Sequence, residues 1–315
     1  MVSLISLIRN EWMKLFAQRS TWIGIILFVC LITGFALFMT TGPSSSEQYG
    51  SDWKQELQQE NKEMKKQIEE TPSTAGFRQD QIKKNEYRIE NNIAPNEFTG
   101  WKFVQENRMF VSLISLFTII IAAGSIANEF RWGSIKLLLI RPVSRTKILF
   151  SKFITLLLFA LLLLVGLFVL SMGLGALLFG LGSWTDPYVF MEGGEVKDTS
   201  IMAFSLMQYG FSSVNLLMMV TFAFMISAVF RNSALAIGAA VFLMLSGNSI
   251  VAFFSDKVWA KYILFANTDL NQFVTGTPLI EDLTMTFSVS VLIVYFLVFL
   301  GAAWLVFTKR DVTST

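Results

Sequence analysis

Hydrophobic and polar positions are segregated into long blocks along this chain, without the short alternation of a soluble amphipathic helix or strand. Six blocks contain no Asp, Glu, Lys or Arg, and the shortest of them has 20 residues. About 20 apolar residues let a helix cross a bilayer, and lipid offers no hydrogen-bond partners to a non-helical backbone. The pattern therefore predicts six transmembrane helices. The blocks are Ser20–Ser46, Met109–Asn128, Phe153–Thr185, Thr199–Phe230, Asn232–Ser255 and Leu283–Thr308.

The sizeable polar block between the first two apolar blocks carries apolar residues on two helical stripes, which Thr71-Pro72-Ser73 separates. Proline ends helices, so we expect a helical hairpin projecting from the outer face. The fold class is therefore an all-α integral membrane protein with an extracellular helical hairpin between the first and second spans. The predicted organisation is an interfacial helix at 1–20, a first span at 21–46, the hairpin at 47–107, five spans within 108–308, and a tail at 309–315. Within 108–308 we place a cytoplasmic segment at 128–149 and an outer interfacial helix at 256–270.

The first 20 residues combine apolar positions near helical spacing with Arg9, Lys14 and Arg19. Such a segment is typical of a helix that lies in the headgroup layer, with Trp12 as its interfacial anchor. The alternative is a basic flank that only sets the orientation of the first span.

The charges indicate the orientation of the spans. With six spans, the termini and the loop after the second span share one side, which holds 12 Lys or Arg against three acids. The opposite side holds 13 Lys or Arg against 20 acids. Basic residues in short loops favour the cytoplasm, so both termini are predicted to be cytoplasmic. The net charge of +2 reflects this topology and indicates no nucleic-acid partner.

Several chemistries are missing from the sequence. The chain has no histidine, Cys30 is its one cysteine, and there is no P-loop motif, so His-based catalysis, Cys/His zinc sites and an ATP site of its own are excluded. The apolar blocks carry mild polar groups at Gln208, Asn215 and Asn248. These are candidates for a translocation path, and the alternative is that they hydrogen-bond between helices. We predict no enzymatic activity and no metal or cofactor bound to this chain.

The stretch "ANEFRWGSIKLLLIRPVSRTKILFSK", residues 127–152, lies between the second and third spans and carries six basic residues. It begins as a short amphipathic segment, which Pro142 interrupts. Ser144 is then placed to cap a new helix that runs into the third span. We predict a compact helix–turn–helix beneath the membrane. The alternative is a stop-transfer loop whose charges only fix topology.

Two motifs resemble those of ABC-2 type transporter permeases. "NE…GSIKLLLIRPVSRTKILFSK" is similar to the segment that follows the second span in that family, and "NEWMKLFAQRSTW" is similar to its N-terminal interfacial helix. Six spans with a large outer loop between the first two match one branch of the family. The resemblance implies a permease in a bacterial plasma membrane. It also implies two partners, namely separate cytoplasmic P-loop ATPase subunits that bind ATP and Mg and a second permease, identical or different.

The resemblance further implies export of a drug, antimicrobial peptide or lipid-like substrate. It assigns coupling to the ATPase to Glu129, Arg131, Gly133, Lys136, Pro142, Ser144 and Arg145. It assigns the N-terminal interfacial helix to Glu11, Trp12, Lys14 and Arg19.

Two other functions compete with this interpretation. A membrane anchor or sensor would recruit a cytoplasmic partner through the same basic loop and transport nothing. A secondary carrier would need inverted repeats and broken spans, and the sequence shows neither.

Overall fold

The computed structural model describes residues 3–41, 50, 52–70, 75–133, 143–275, 278, 280 and 283–309. The prediction of six spans is confirmed, because six helices in this part of the chain are long and apolar enough to cross a membrane. Helix α1 (Leu4–Ala17) precedes the spans. The spans, in order, are α2 (Arg19–Thr41), α5 (Gly100–Asn107) continuing into α6 (Val111–Arg131), α7 (Arg145–Phe179), α8 (Ile201–Phe230), α9 (Ser233–Phe253) and α12 (Met285–Lys309).

Side-chain caps start three of the spans. Ser144, Ser200 and Asn232 each accept a hydrogen bond from the backbone N–H three residues further along the chain. The cap that the sequence predicted at Ser144 is therefore present. The fourth span ends at Arg231, which adopts the left-handed conformation with φ of 53°. The fourth and fifth spans are thus joined by a two-residue turn.

The fourth span lies at the centre of the bundle and the first span at its edge. Over their most apolar windows, 56% of the fourth span is buried inside the protein but 11% of the first. Ser227 joins the fourth span to the second, because its Oγ donates to the carbonyl of Ala123 and accepts from the N–H of Ala127. Such hydrogen bonds between helices replace the hydrophobic driving force that lipid does not supply.

The second span begins earlier than the sequence predicted. Residues 100–107, which we had placed in the hairpin, form α5 and bury Trp101, Phe103 and Val104 against the third span. Gly100 and Gly175 let the two backbones meet, since a Cβ built on Gly175 would lie 2.8 Å from the Cα of Gly100. Gly175 lies near the end of the third span, and a small residue at such a position lets two helices approach closely.

Two helices of the polar block, α3 (Trp53–Glu70) and α4 (Ala75–Asn91), pack side by side. Leu57 is fully buried between them, and the side chain of Asn85 donates to that of Asn61 at 2.9 Å. Their position outside the cell stays a prediction. The remainder of the predicted hairpin, up to residue 99, forms no further helix among the described residues.

The prediction of an all-α fold is wrong for one segment. Strands β1 (Pro187–Glu192) and β2 (Glu195–Ser200) form an antiparallel hairpin before the fourth span. Gly193 and Gly194 make its two-residue turn, both with positive φ, a conformation that glycine adopts without steric cost. Tyr87 of α4 donates to Asp198 of this hairpin at 2.7 Å, so the two extramembrane elements are joined.

The segment at 256–270, predicted as one interfacial helix, is broken into short pieces. A 3₁₀ turn at Val258–Tyr262 is followed by α10 (Leu264–Asn267) and α11 (Gln272–Thr275). The Asn267 side chain donates to the carbonyls of Lys261 and Ile263. Local bonds of this kind compete with helical ones, which explains the correction.

The two ends of the bundle are distinct. What we call the terminal face holds the ends of the second and sixth spans and the start of the third. Arg145 donates to the carbonyl of Thr308 at 3.2 Å there, and Trp304 donates to Thr146. What we call the hairpin face, at the opposite end, carries the helical hairpin and the β-hairpin. The charge count predicts that the terminal face is cytoplasmic.

Candidate functional site

Four charged side chains form a compact cluster at the terminal face. Lys152 of the third span donates to Glu11 of α1 at 2.8 Å and to Glu129 of the second span at 2.6 Å. Lys14 donates to the same two carboxylates, at 2.7 Å and 3.4 Å. We call these four residues the charge cluster. It ties the N-terminal helix to both spans that flank residues 132–144.

Burial makes the cluster a strong interaction. The side chain of Lys152 is 2% exposed and those of Glu11 and Glu129 are 14% and 13% exposed, whereas Lys14 reaches solvent. An ammonium group this deep is costly unless carboxylates surround it. The two acids and two bases balance, so the cluster has no net charge at neutral pH.

The two cluster residues on α1 have shifted pKa values. Burial alone would raise the pKa of Glu11, but the ammonium groups of Lys152 and Lys14 outweigh it and hold that pKa below the ordinary value. Burial alone would lower the pKa of Lys14, but Glu11 and Glu129 raise it above the ordinary value. Both shifts favour the charged forms of these two side chains.

A cleft of about 660 Å³ opens beside the charge cluster, between α1 and the second and third spans. Trp132, whose side chain is 66% exposed, stands at its edge where the second span ends. Asn128 and Asn10 add neutral polar groups to the lining. The terminal face therefore presents a partly open surface, and the charge cluster forms part of its wall.

The structure separates the predicted coupling residues into three groups. Glu129 faces inward in the charge cluster, and Arg145 binds the carboxyl end of the sixth span. Arg131 and Gly133 lie at the exposed end of the second span, where the Arg131 guanidinium stands 5.7 Å from the Trp132 ring. Ser144 caps the third span. Lys136 and Pro142, together with the part of the predicted amphipathic segment that follows Gly133, lie outside the described residues.

The predicted residues of the N-terminal helix divide in a similar way. Helix α1 spans Leu4–Ala17, and one residue, Gln18, separates it from the first span, which begins at Arg19. Trp12 is half-buried, with its ring 5.2 Å from that of Phe16. Glu11 and Lys14 belong to the charge cluster, while Arg19 is exposed.

Two of the three polar residues proposed for a translocation path line one cleft. Asn215 and Asn248 meet in a cleft of about 420 Å³ at the hairpin face, between the second, fourth and fifth spans. Gln208 is buried and is not among the lining residues of this cleft. The sequence identified the polar positions but could not show which of them share a surface.

Sequence reasoning missed Lys152 as a site residue. The sequence does contain a signal for it. Lys152 lies on the same helical face as the apolar residues Ile148, Leu149, Phe153 and Leu156, and such a face is expected to pack into a core. A lysine at such a position needs an acidic partner. The two partners lie 141 and 23 residues away along the chain, so the sequence does not reveal them.

Comparison with known proteins gives one family and two relatives. A family model described as "Protein of unknown function (DUF2705)" matches residues 77–313. "Uncharacterized protein YhcI" of Bacillus subtilis (strain 168) is 48% identical over 315 residues, which cover 99% of this chain and 100% of the relative. "Uncharacterized membrane protein YdbK" of the same organism is 32% identical over 203 residues, which cover 64% of this chain and 78% of the relative.

Proposed function

The chain belongs to the DUF2705 family, and we propose that it is the transmembrane permease subunit of an ATP-binding cassette transporter. In this proposal it works with cytoplasmic P-loop ATPase subunits, which bind ATP and Mg, and with a second permease. It exports an amphiphilic substrate such as a drug, an antimicrobial peptide or a lipid-like molecule.

The observation that carries the proposal is the charge cluster. An ATPase that pushes on the 132–144 loop would move the ends of the second and third spans, and Glu129 and Lys152 join those ends through a 2.6 Å ion pair. Glu11 extends the connection to the interfacial helix. A loop that served only to fix topology would not require its two flanking helices to be fastened together by a buried charge.

The hairpin-face cleft supports the proposal from the other end of the same helices. It is lined by Ser112 and Ser115 of the second span and by Asn215 of the fourth. Polar side chains within spans are costly, so their convergence on one cleft favours a path for polar groups.

The mechanism is a hypothesis in three steps. ATP brings the two partner ATPase subunits together, the subunits displace the 132–144 loops, and the charge cluster transmits this displacement to the second and third spans. The spans then tilt and open toward the hairpin face. Nucleotide can drive the cycle only if the ATPase binds the two states of the permease with different affinity.

The first test is purification of the tagged full chain in mild detergent, followed by mass spectrometry of the proteins that accompany it. We expect a P-loop ATPase in stoichiometric amount. If gentle cross-linking in membranes also yields no ATPase, the proposal is wrong and the membrane anchor becomes the better interpretation.

A pair of variants then tests the docking surface. Arg131→Glu reverses an exposed charge beside the loop, and Arg9→Glu reverses an exposed charge on α1 that lies outside the charge cluster. We expect Arg131→Glu to reduce ATPase recovery several-fold and Arg9→Glu to leave it unchanged, because charge reversal acts at close range. Equal recovery with both variants would exclude this surface.

A further inference from the structure

The hairpin-face cleft holds two amides that are available to a ligand. Among the described residues, neither the Asn215 nor the Asn248 side chain forms a hydrogen bond within the protein, and both line the cleft. Asn215 is the midpoint of a 30-residue span, so its amide lies deep in the membrane. A polar group at that depth normally has a partner, which water or a ligand must supply here.

Two opposite charges line the same cleft without pairing with each other. Arg108 lies between α5 and α6 of the second span and Asp269 between α10 and α11, and among the described residues no salt bridge within 4 Å joins them. Glu106 also lines the cleft, but its carboxylate is paired, since it lies 3.6 Å from the Nζ of Lys102. Asp269 accepts a backbone bond from Asn271, which fixes the carboxylate in place. A guanidinium and a carboxylate that share a cleft but stay apart present two separate charged positions to one ligand.

Apart from Glu106, the rest of the lining is neutral. Ser115 and Ser212 add hydroxyls, and Met219, Met244 and Phe265 add soft apolar surface. The volume of about 420 Å³ falls within the range of about 300–1,000 Å³ that is typical of small-molecule sites. The cleft therefore combines two opposite charges without a salt-bridge partner in the described part of the chain, the paired carboxylate of Glu106, two open amides and an apolar wall.

We propose that this cleft binds a zwitterion of the phosphoethanolamine type, with its phosphate at Arg108, its ammonium group at Asp269 and its polar body against Asn215 and Asn248. Guanidinium groups bind phosphate through two parallel hydrogen bonds. Because no salt bridge joins the two protein charges, a ligand whose own charges are separated by a two-carbon linker fits better than an α-amino acid. The ligand is either a free small molecule or the headgroup of a membrane lipid.

Identifying this ligand as a transport substrate rests on the proposed function, whereas its binding does not. The experiment therefore measures binding to the full chain without any ATPase. If the zwitterion binds but no ATPase accompanies the chain, the site stands and the permease proposal is wrong. If an ATPase accompanies the chain but nothing binds, the reverse holds.

The assay follows the protection of a thiol in the cleft wall. Cys30→Ser removes the native thiol and Ser112→Cys introduces a reporter, since Ser112 is exposed at the cleft. A membrane-impermeant thiol reagent is added, and the modification rate is measured with increasing O-phosphoethanolamine. Ethanolamine, inorganic phosphate and glycine serve as comparison probes. A second arm compares nanodiscs of phosphatidylcholine alone with nanodiscs that also contain phosphatidylethanolamine.

We expect O-phosphoethanolamine or phosphatidylethanolamine to slow modification, and the arm that responds identifies the source of the ligand. Arg108→Gln and Asp269→Asn should each raise the half-protecting concentration by about tenfold or more, because each removes one charge-assisted contact. Lys257→Gln, an exposed lysine of the outer segment that is not among the lining residues, should change nothing.

Three results would overturn the proposal. The first is no protection in either arm. The second is protection that persists unchanged in both charge variants. The third is equal protection by glycine, which would exclude the separated-charge ligand. Two charge variants are used because either one remains informative if the other does not fold, and the detergent elution profile reports folding.

Discussion

Removing the ammonium group of Lys152 should destabilise the protein more than removing any exposed lysine. In Lys152→Met, the carboxylates of Glu11 and Glu129 keep their burial but lose bonds of 2.8 Å and 2.6 Å. Leaving a buried charge without its partner typically costs about 3–5 kcal/mol. Lys14 reaches both carboxylates and stays in place, so we expect the loss to fall near the lower end of that range.

The assay is an SDS titration of the purified full chain, followed by tryptophan fluorescence and reported as an apparent free energy of unfolding. Lys147→Met is the matched control, because Lys147 lies on the same helix and is exposed. The control should change stability by less than about 0.5 kcal/mol. A second comparison, Lys152→Met combined with Glu129→Gln, should recover part of the loss because it removes one of the two buried carboxylates that no longer bind Lys152.

Two outcomes would refute the reasoning. If Lys152→Met and Lys147→Met destabilise equally, the buried ion pairs contribute nothing net. If the double variant is less stable than Lys152→Met by the full cost of Glu129→Gln alone, the two residues act independently and the charge cluster is not a unit.

Three further predictions concern other elements of the structure. Gly175→Ala places a Cβ 2.8 Å from the Cα of Gly100, so we expect a loss of about 1–3 kcal/mol in the SDS titration, as is usual for overpacking. Glu11 has a pKa below its unfolded value of 4.5, so its contribution to stability is complete above about pH 4.5 and is lost as the pH falls through the folded pKa. A pH series of SDS titrations measures this loss. Tyr87→Phe removes the bond between the helical hairpin and the β-hairpin, and hydrogen exchange of the hairpin amides should become faster.

Each of these predictions has its own check. Gly166→Ala is the control for the glycine variant, since a Cβ there meets nothing within 4 Å, and equal losses at both positions would exclude the close-packing explanation. Glu11→Gln should flatten the acid part of the pH series, and an unchanged slope would show that another group titrates there. Amides of the spans should exchange at their normal rate in Tyr87→Phe, and a faster rate throughout would indicate general unfolding instead.

The features that sequence predicted correctly depend on short-range rules. Span number follows from the length and charge of contiguous blocks, because lipid requires a helix wherever the chain crosses. The cap at Ser144 follows from the residues around it. The β-hairpin also has a local signal, the Gly193–Gly194 pair, which the all-α prediction does not take into account.

The features that sequence did not predict depend on contacts between distant residues. In the sequence, Gly100 belongs to a polar block. Only its contact with Gly175 in the structure shows that the second span begins there. From the sequence alone, Glu129 is expected to contact a partner protein, whereas in the structure it binds Lys152 of the same chain. In both cases a residue has its role because a helix more than 20 positions away lies against it, and one sequence does not contain that arrangement.

The second span connects the two candidate sites. Helix α6 carries Ser112 and Ser115 in the hairpin-face cleft and Glu129 in the charge cluster, and its 21 residues extend for roughly 30 Å at 1.5 Å per residue. If a bound zwitterion and a docked ATPase each favour one position of this helix, their binding free energies are coupled. Coupling is reciprocal, so the factor by which the zwitterion changes ATPase affinity must equal the factor by which the ATPase changes zwitterion affinity. A factor of one, measured with both ligands on the same preparation, would exclude a connection between the two sites through the second span.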